Sequence, residues 1–306
     1  MSPQVCAITV TFNPDIEILG RQLNSLSVQC NVVVVDNASG DSVRRDLFSV
    51  CEKYSATFVV LDENYGIAHA QNEGVKVARH RYPGCAYLLF LDHDSVPTEA
   101  FVDTMLDQYQ TLEKAEKVAA IGPSLFDPRT GDFHGFHVIK GMRYLRVNPA
   151  DMKQDAIECS TVNSSGTLCS LTAFDDVGGY DEHLFIDQVE TEWCFRARKA
   201  GYHVYGSRTA SMEHRMGDDV VSFSFMAKEI SLPYRNPLRH RYLVRNSVLL
   251  LRRGYVPPVW KFYCIGKLLL TFVLFGFFVP ESREQRESIL RGIRDGIGGV
   301  TGRITN

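Results

Sequence analysis

The chain has 306 residues, 45% hydrophobic and 23% charged, an ordinary globular composition sufficient for one large domain or a domain with an appendage. Its net charge of −3 hides an asymmetry, because residues 235–267 hold eight Lys/Arg and no acid, leaving the first 234 residues strongly acidic. This speaks against a nucleic-acid binder, which is basic over a whole face, and points to an anionic partner or a membrane surface near the C-terminus.

The first half alternates. Apolar, β-branched runs occur at Val5–Thr11, Val32–Asp36, Phe58–Asp62, Tyr87–Asp92 and Val118–Ile121. Stretches of helical periodicity separate them at Ile16–Val28, Ser42–Tyr54, Ile67–His80 and Thr98–Leu112. Short continuous apolar strands alternating with helices predict a doubly wound, mostly parallel α/β sheet with helices on both faces. From about Cys159 the pattern changes. A small, polar stretch containing Ser164, Ser165 and Gly166 precedes an acidic run, and Val189–Ala200 predicts a helix ended by Gly201. Asp187, Glu190 and Glu192 crowd the start of that helix, where acids also complement the helix dipole.

Residues 234–253 place Arg241, Arg245 and Arg252 at helical spacing among leucines and valines. A 12-residue apolar run follows, Leu268–Val279. It is shorter than the ~20 residues that span a bilayer. With Trp260, Lys261 and Lys267 before it, the run predicts an interfacial helix, the alternative being a buried or homodimer helix. The expected organisation is a catalytic domain over residues 1–233, with halves 1–126 and 127–233, and a basic, apolar helical segment over 234–306. The eight cysteines form no C-x-x-C pair and sit in apolar surroundings, as expected of free thiols in a reducing compartment. No basic stretch precedes the first apolar run, so a cytosolic location is expected.

Ligands of such sheets bind beyond the carboxyl ends of the strands. Here those ends carry Thr11-Phe12-Asn13, Asp36-Asn37, Asp62-Glu63-Asn64 and Asp92-His93-Asp94. One Asp after a strand is ordinarily a turn or a cap; four polar clusters on one edge indicate a site. Neither a dinucleotide-binding glycine fingerprint, nor a phosphate-binding P-loop, nor a nucleophile elbow is present. Side chains alternate along a strand, so Asp92 and Asp94 share a side. Two such carboxylates suit a divalent cation that also takes phosphate oxygens, which points to a metal–diphosphate complex.

These residues resemble the inverting glycosyltransferases of family 2, with the GT-A fold, and more narrowly the bacterial rhamnosyltransferases of rhamnolipid and surface-polysaccharide synthesis. The motifs are VTFNPD (10–15), VVVDNAS (33–39), NYGIAHAQNEG (64–74), LLFLDHDSVP (88–97), DEHLFIDQVETEWCFRARKAGY (181–202), EHRMG (213–217) and NPLRHRYLVRN (236–246), in family order. The resemblance implies transfer of L-rhamnose from dTDP-L-rhamnose to a glycolipid or lipid-linked saccharide, with Mg²⁺ or Mn²⁺, at the inner face of the membrane. It places Thr11, Asn13, Asn64, Gly66 and Asn72 along the nucleotide, and Asp36 on the pyrimidine N3–H. Asp92 would face the ribose or donor sugar, and Asp94, with Asp92 and His214, the metal or diphosphate. Arg215 and Gly217 favour a loop role for His214.

An inverting transfer needs one general base. The family's usual Asp, four residues before the Cys of its acidic motif, is here Glu190. The longer arm leaves Asp187 and Glu192 as alternative bases, since about 1 Å of misplacement can cost 10²-fold in rate. Two other readings are a sugar-nucleotide pyrophosphorylase, whose glycine-rich opening loop is missing, and a non-catalytic nucleotide-sugar-binding subunit. A transferase using another nucleotide sugar is also open.

Overall fold

The computed structural model describes residues 2–214, 219–225, 228–279 and 281–305. Strands and helices alternate as the periodicity predicts: β1 (Ser2–Thr11), α1 (Ile16–Leu26), β2 (Cys30–Asp36), α2 (Asp41–Lys53), β3 (Thr57–Val60), α3 (Ile67–Arg81) and β4 (Tyr87–Asp92). Asp15 caps α1 by accepting from the amides of Glu17 (2.9 Å) and Ile18 (3.2 Å). A short strand β5 (Ser95–Pro97) then precedes α4 (Phe101–Glu113) and β6 (Val118–Asp127). Helix α4 therefore begins three residues later than expected. Ser95–Pro97 is drawn into the sheet, and the Phe101 amide closes a turn onto the Thr98 carbonyl (3.3 Å).

The second half supplies β7 (Asp132–His134), β8 (Phe136–Lys140), β9 (Arg143–Val147), β10 (Ala156–Glu158), β11 (Thr167–Ser170), α5 (Leu171–Val177), α6 (Val189–Lys199) and β12 (His203–His214). The pair β13 (Asp219–Phe225) and β14 (Lys228–Tyr234) leads to α7 (Pro237–Leu251), α8 (Pro258–Phe277) and α9 (Ser282–Gly298).

The main sheet has the order β10-β12-β6-β11-β4-β1-β2-β3. Strands β3, β2, β1 and β4 run parallel. Strand β11 is wedged antiparallel between β4 and β6, and β12 runs parallel to β6. The sheet is thus mixed, and the two expected halves interleave within it. Alternate residues face opposite layers. Ile8, Val33, Val35, Leu88 and Phe90 join one core with Trp193 and Trp260, whereas Ala7, Val32, Val34, Leu89 and Leu91 join another with α1 and α4. All eight cysteines are free and buried in these layers.

The C-terminal helices are built into this body. Asn236 caps α7 by accepting from the Arg239 amide (2.9 Å). In α9 a Cβ on Gly292 or Gly296 would run into the backbone of α7, so only glycine allows the two helices to lie this close. Arg245 is fully buried, donating to the carbonyls of Leu184 (2.9 Å) and Gly302 (2.6 Å). Its neighbour Asn246 donates to the carbonyls of Leu184 (2.8 Å), Ile186 (2.7 Å) and Asp187 (2.9 Å). Phe185, Asp187 and Gln188 have φ of 64°, 63° and 65°, left-handed values that side-chain-bearing residues hold only when their surroundings dictate it. Asn246 supplies that constraint just ahead of α6.

Asn246→Ala leaves the Ile186 and Asp187 carbonyls without their donor, while Leu184 keeps Arg245. We expect a loss of about 1–3 kcal/mol, the cost of unsatisfied buried polar groups. It is read as a lower urea midpoint at unchanged slope. A midpoint equal to the parent's shows that the loop holds its shape alone.

Candidate active site

Asp92 ends β4 and Asp94 follows it two residues on, while His214 ends β12, which β6 and β11 separate from β4 in the sheet. Their ligating atoms come within 4.8 Å of one another, with His214 Nδ1 3.4 Å from Asp94 Oδ1 and His214 Nε2 4.0 Å from Asp92 Oδ2. Burial pushes the Asp92 carboxyl up, and Asp94 adds to this while His214 opposes it. Burial also pushes Asp94 up, but the adjoining His214 imidazole and its charge outweigh this and hold it below the usual range. Burial pulls His214 down, but Asp94 and Asp92 reverse this and raise it. Asp94 Oδ1 and His214 Nδ1 are buried without a geometrically sound hydrogen bond. Two carboxylates and an imidazole, with orphaned atoms facing one another, fit a divalent cation. Arg215 and Gly217 lie outside the described residues.

A buried glutamine in α1 sets this loop. Gln22 Nε2 donates to the carbonyls of Asp92 (2.8 Å) and Ser95 (2.6 Å), and its Oε1 accepts from Thr9 Oγ1 (2.8 Å). From below, Ser165 Oγ accepts from the Asp92 amide (3.3 Å) and bonds Ser95 Oγ. Ser164 Oγ accepts from Gln71 (3.0 Å). The sequence reading passed over Gln22, although one signal was available: a polar residue within the buried stripe Leu19-Gln22-Leu23-Leu26.

The expected nucleotide residues divide. Thr11, Asn13, Asp36 and Asn64 gather at the ends of β1, β2 and β3. Asp36 is fully buried and accepts from Thr11 Oγ1 (3.2 Å), the Ser39 amide (3.1 Å) and Ser39 Oγ (2.5 Å), with Arg44 Nε 3.6 Å away. It thereby anchors the loop. Asn13 Oδ1 accepts from the Gly40 amide (3.0 Å), and Asn64 Oδ1 accepts from Asn37 Nδ2 (3.0 Å) and the Gly66 amide (3.0 Å). Gly66 and Asn72 are turned to other work. Gly66, at φ 89°, lies where a Cβ would meet the backbone of Phe185. Asn72 is tied to Tyr180 (3.0 Å) and Glu182 (2.8 Å), joining α3 to the segment before α6.

The three acids of α6 also separate. Glu192 is 1% exposed, clamped by Arg196 (2.9 and 2.8 Å), Arg253 (3.0 Å) and Tyr255. Asp187 is paired with Arg239 (3.0 Å). Glu190 has no such cation bound to it among the described residues, and burial with the charges of Asp92 and Asp187 pushes its carboxyl up to about 7. Glu190 and Asp187 line a cavity of about 190 Å³, whose far wall is Trp260, Tyr263 and Lys267 of α8; Glu192 is not part of it.

The family model "Glycosyl transferase family 2" matches residues 6–172. The chain is 32% identical to dTDP-rhamnosyl transferase RfbF of Shigella flexneri over 99% of this chain and 98% of that one. It is 24% identical to poly-beta-1,6-N-acetyl-D-glucosamine synthase of Staphylococcus aureus over 56% of this chain and 40% of that one. Among solved structures, a mannosyltransferase from Pyrobaculum calidifontis in complex with GDP-Man and Mn²⁺ superposes with a TM-score of 0.58 at 14% identity, covering 96% of this chain and 87% of that one. GalNAc-T7 with UDP, GalNAc and Mn²⁺ gives 0.58 at 11%, and this chain covers 56% of its length and 97% of its own. These structural likenesses establish a GT-A type fold with a mixed sheet and helices on both faces, as expected.

Gln22→Leu keeps the volume in α1 but removes both donors to the Asp92–Ser95 loop. Loss of a residue that orients metal ligands costs roughly 10–100-fold in metal affinity. We expect that weakening for Mn²⁺ by calorimetry, and no detectable binding for Asp94→Ala. Parental affinity in Asp94→Ala places the metal elsewhere.

Proposed function

The chain belongs to glycosyl transferase family 2, and from that premise we propose that it moves L-rhamnose from dTDP-L-rhamnose to a hydroxyl of a glycolipid or lipid-linked saccharide, with inversion. The observation that carries the donor assignment is the similarity to a dTDP-rhamnosyl transferase along essentially the whole of both chains. The partial relative and the structural neighbours use other sugars and support only the transfer chemistry.

Glu190 supports the chemical step. A carboxyl poised near 7 is a balanced general base at neutral pH. It takes the proton of the acceptor hydroxyl as that oxygen bonds the anomeric carbon and the bond to the diphosphate breaks, releasing dTDP. Arg239 keeps Asp187 paired beside it, and Glu192 holds Arg196 and Arg253 in place, which favours Glu190 over either neighbour as base. Asp92, Asp94 and His214 would hold Mg²⁺ or Mn²⁺, which when bound neutralises charge on the departing diphosphate. Thr11, Asn13 and Asn64 line the nucleotide end, with Asp36 fixing their loop.

The same reading places the protein in the cytoplasm, peripheral to the inner face of the membrane. Most of the basic segment does not serve this. Arg239, Arg241, Arg245, Arg252 and Arg253 all bind groups of the protein itself. The apolar face of α8 is the stronger argument. Helix α8 has 20 residues and a mean hydropathy of 1.5, long and apolar enough by length and composition to cross a membrane. Trp260, Cys264 and Phe275 pack inward, while Phe262, Ile265, Leu269 and Val273 are exposed at helical spacing. Such a stripe suits an interfacial position.

Two measurements test these readings. Loss of the base lowers kcat by about 10²–10⁴, so Glu190→Gln should do so with dTDP-rhamnose while leaving donor affinity near the parent's. In the parent, kcat/KM should fall as pH drops through about 7, because Glu190 then carries its proton. A parental rate in Glu190→Gln moves the base to Asp187 or Glu192. Separately, Leu269→Gln with Val273→Gln should release the protein from phosphatidylglycerol vesicles. Unchanged vesicle binding removes the membrane role, and conversion of a dimer to a monomer assigns the face to a homodimer.

A further inference from the structure

Beyond α9 the chain returns to the segment that precedes α6. Gly299, at φ 73°, ends α9, and the Val300 amide donates back to the Asp295 carbonyl (2.9 Å). This turns the chain toward α7. The Gly302 amide then donates to the His183 carbonyl (2.6 Å), and the Gly302 carbonyl accepts from Arg245 Nη1 (2.6 Å). Two residues on, the Ile304 amide donates to Tyr242 Oη (2.7 Å). The Tyr242 ring in turn stacks on Phe185 at 5.1 Å and 15°. Residues 302–304 therefore reach the loop ahead of Glu190 twice, once directly and once through Tyr242.

Arg245 makes these contacts consequential. It is fully buried, and no carboxylate is bound to it among the described residues. Its donors meet Asn246 Oδ1 (2.9 Å) and the carbonyls of Leu184 (2.9 Å) and Gly302. Burial draws the guanidinium below its ordinary value. A buried cation held by neutral oxygens depends on each of them. Gly302 thus closes a circuit of bonds, from His183 and Leu184 on the loop to Arg245 on α7 and back. Its φ of 72° presents the amide to the loop and the carbonyl to Arg245, and a Cβ there would meet no atom within 4 Å. The glycine serves for its backbone angle, not for its small size.

We propose that Gly302 and Ile304 are positioning residues for the transfer step: they clamp the 183–188 loop against α7 and thereby hold Glu190 at the cavity. The inference rests on Glu190 as the general base. The clamp acts on one side of the site only. The Asp92–Ser95 loop is held by Gln22 and Ser165, not by this segment. Arg303 lies 3.8 Å from Glu63 near the nucleotide end, but both side chains are more than half exposed, and such pairs contribute little. Glu190 is faced by Asp187, by Asp92 of β4 and by Arg239 of α7. Across the cavity stand His134, His137, Arg235 and Lys267. Gly302 and Ile304 carry no charge, so substitutions there reach the titration of Glu190 only by moving the loop.

The test uses the full chain with Mn²⁺ and follows hydrolysis of dTDP-rhamnose, water standing in for the acceptor hydroxyl. Gly302→Pro removes the amide hydrogen and forbids a φ of 72°. Gly302→Asn keeps the amide, and asparagine tolerates the left-handed region. We expect Gly302→Pro to lower kcat by about tenfold or more, since misplacement of about 1 Å can cost 10²-fold. The KM for dTDP-rhamnose and the affinity for Mn²⁺ should stay at the parent's values. The acidic limb of the pH profile should move below about 7, because a displaced Glu190 loses the burial that raises its carboxyl. Gly302→Asn should keep both the rate and the limb near the parent's. A parental rate and limb in Gly302→Pro, or equal impairment in Gly302→Asn, overturns the proposal. If Gly302→Pro also loses Mn²⁺ binding, the whole chain has loosened, and Tyr242→Phe decides, since it removes only the acceptor of the Ile304 amide. A lower kcat with the limb moved down then supports the clamp, and a parental profile overturns it. Failure of the general-base reading is seen separately, as Glu190→Gln hydrolysing the donor at the parental rate.

Discussion

The site depends on one side-chain amide. Asn246 in α7 holds the carbonyls of Leu184, Ile186 and Asp187, and so fixes a loop whose backbone is otherwise unfavourable. That loop delivers three things at once. It presents Phe185 to Gly66 at the entry to α3, it places Asp187 against Arg239, and it starts α6 so that Glu190 faces the cavity. The position of Glu190 is therefore determined from the C-terminal helices, more than 50 residues further along the chain.

The donor side has its own keystone of the same chemical kind. Gln22 reaches from α1 to the carbonyls that flank Asp94, so a buried amide again shapes a loop that carries acids. Neutral amides suit both places. They satisfy carbonyls without adding charge to a region where Asp92, Asp94, Asp187 and Glu190 already repel one another. Charge is handled by separate residues: His214 among the metal-site acids, Arg239 beside Asp187, and Arg196 with Arg253 beneath Glu192.

Much of this was legible from the chain. Strand and helix positions in the first half follow from apolar runs and periodicity, because buried parallel strands leave an unmistakable pattern. The Asp92–Asp94 pair and its strand-end location were readable for the same reason. What was not readable depends on contacts distant in sequence. Strand β11 is only four residues long and its antiparallel place between β4 and β6 has no local signature. Asn72 and Gly66 match nucleotide motifs yet are occupied by Tyr180, Glu182 and Phe185, more than 100 residues away. The run of positive charge in residues 235–267 suggested an external anion, but most of those arginines satisfy carbonyls and carboxylates inside the protein. Composition records charge without recording whom it faces.

The reliance of the loop on Asn246 also orders events during synthesis. A chain emerging from the ribosome completes β1 to β4 early, but β4 keeps an unpaired edge until β11 appears. By the time His214 has emerged, all three atoms of the metal cluster exist. The carbonyls of Ile186 and Asp187 still lack their donor until residue 246 follows and α7 docks. The nascent protein thus brings Asp92, Asp94 and His214 together before Glu190 is aligned, and a chain stalled between these points would carry the first cluster without the second in place.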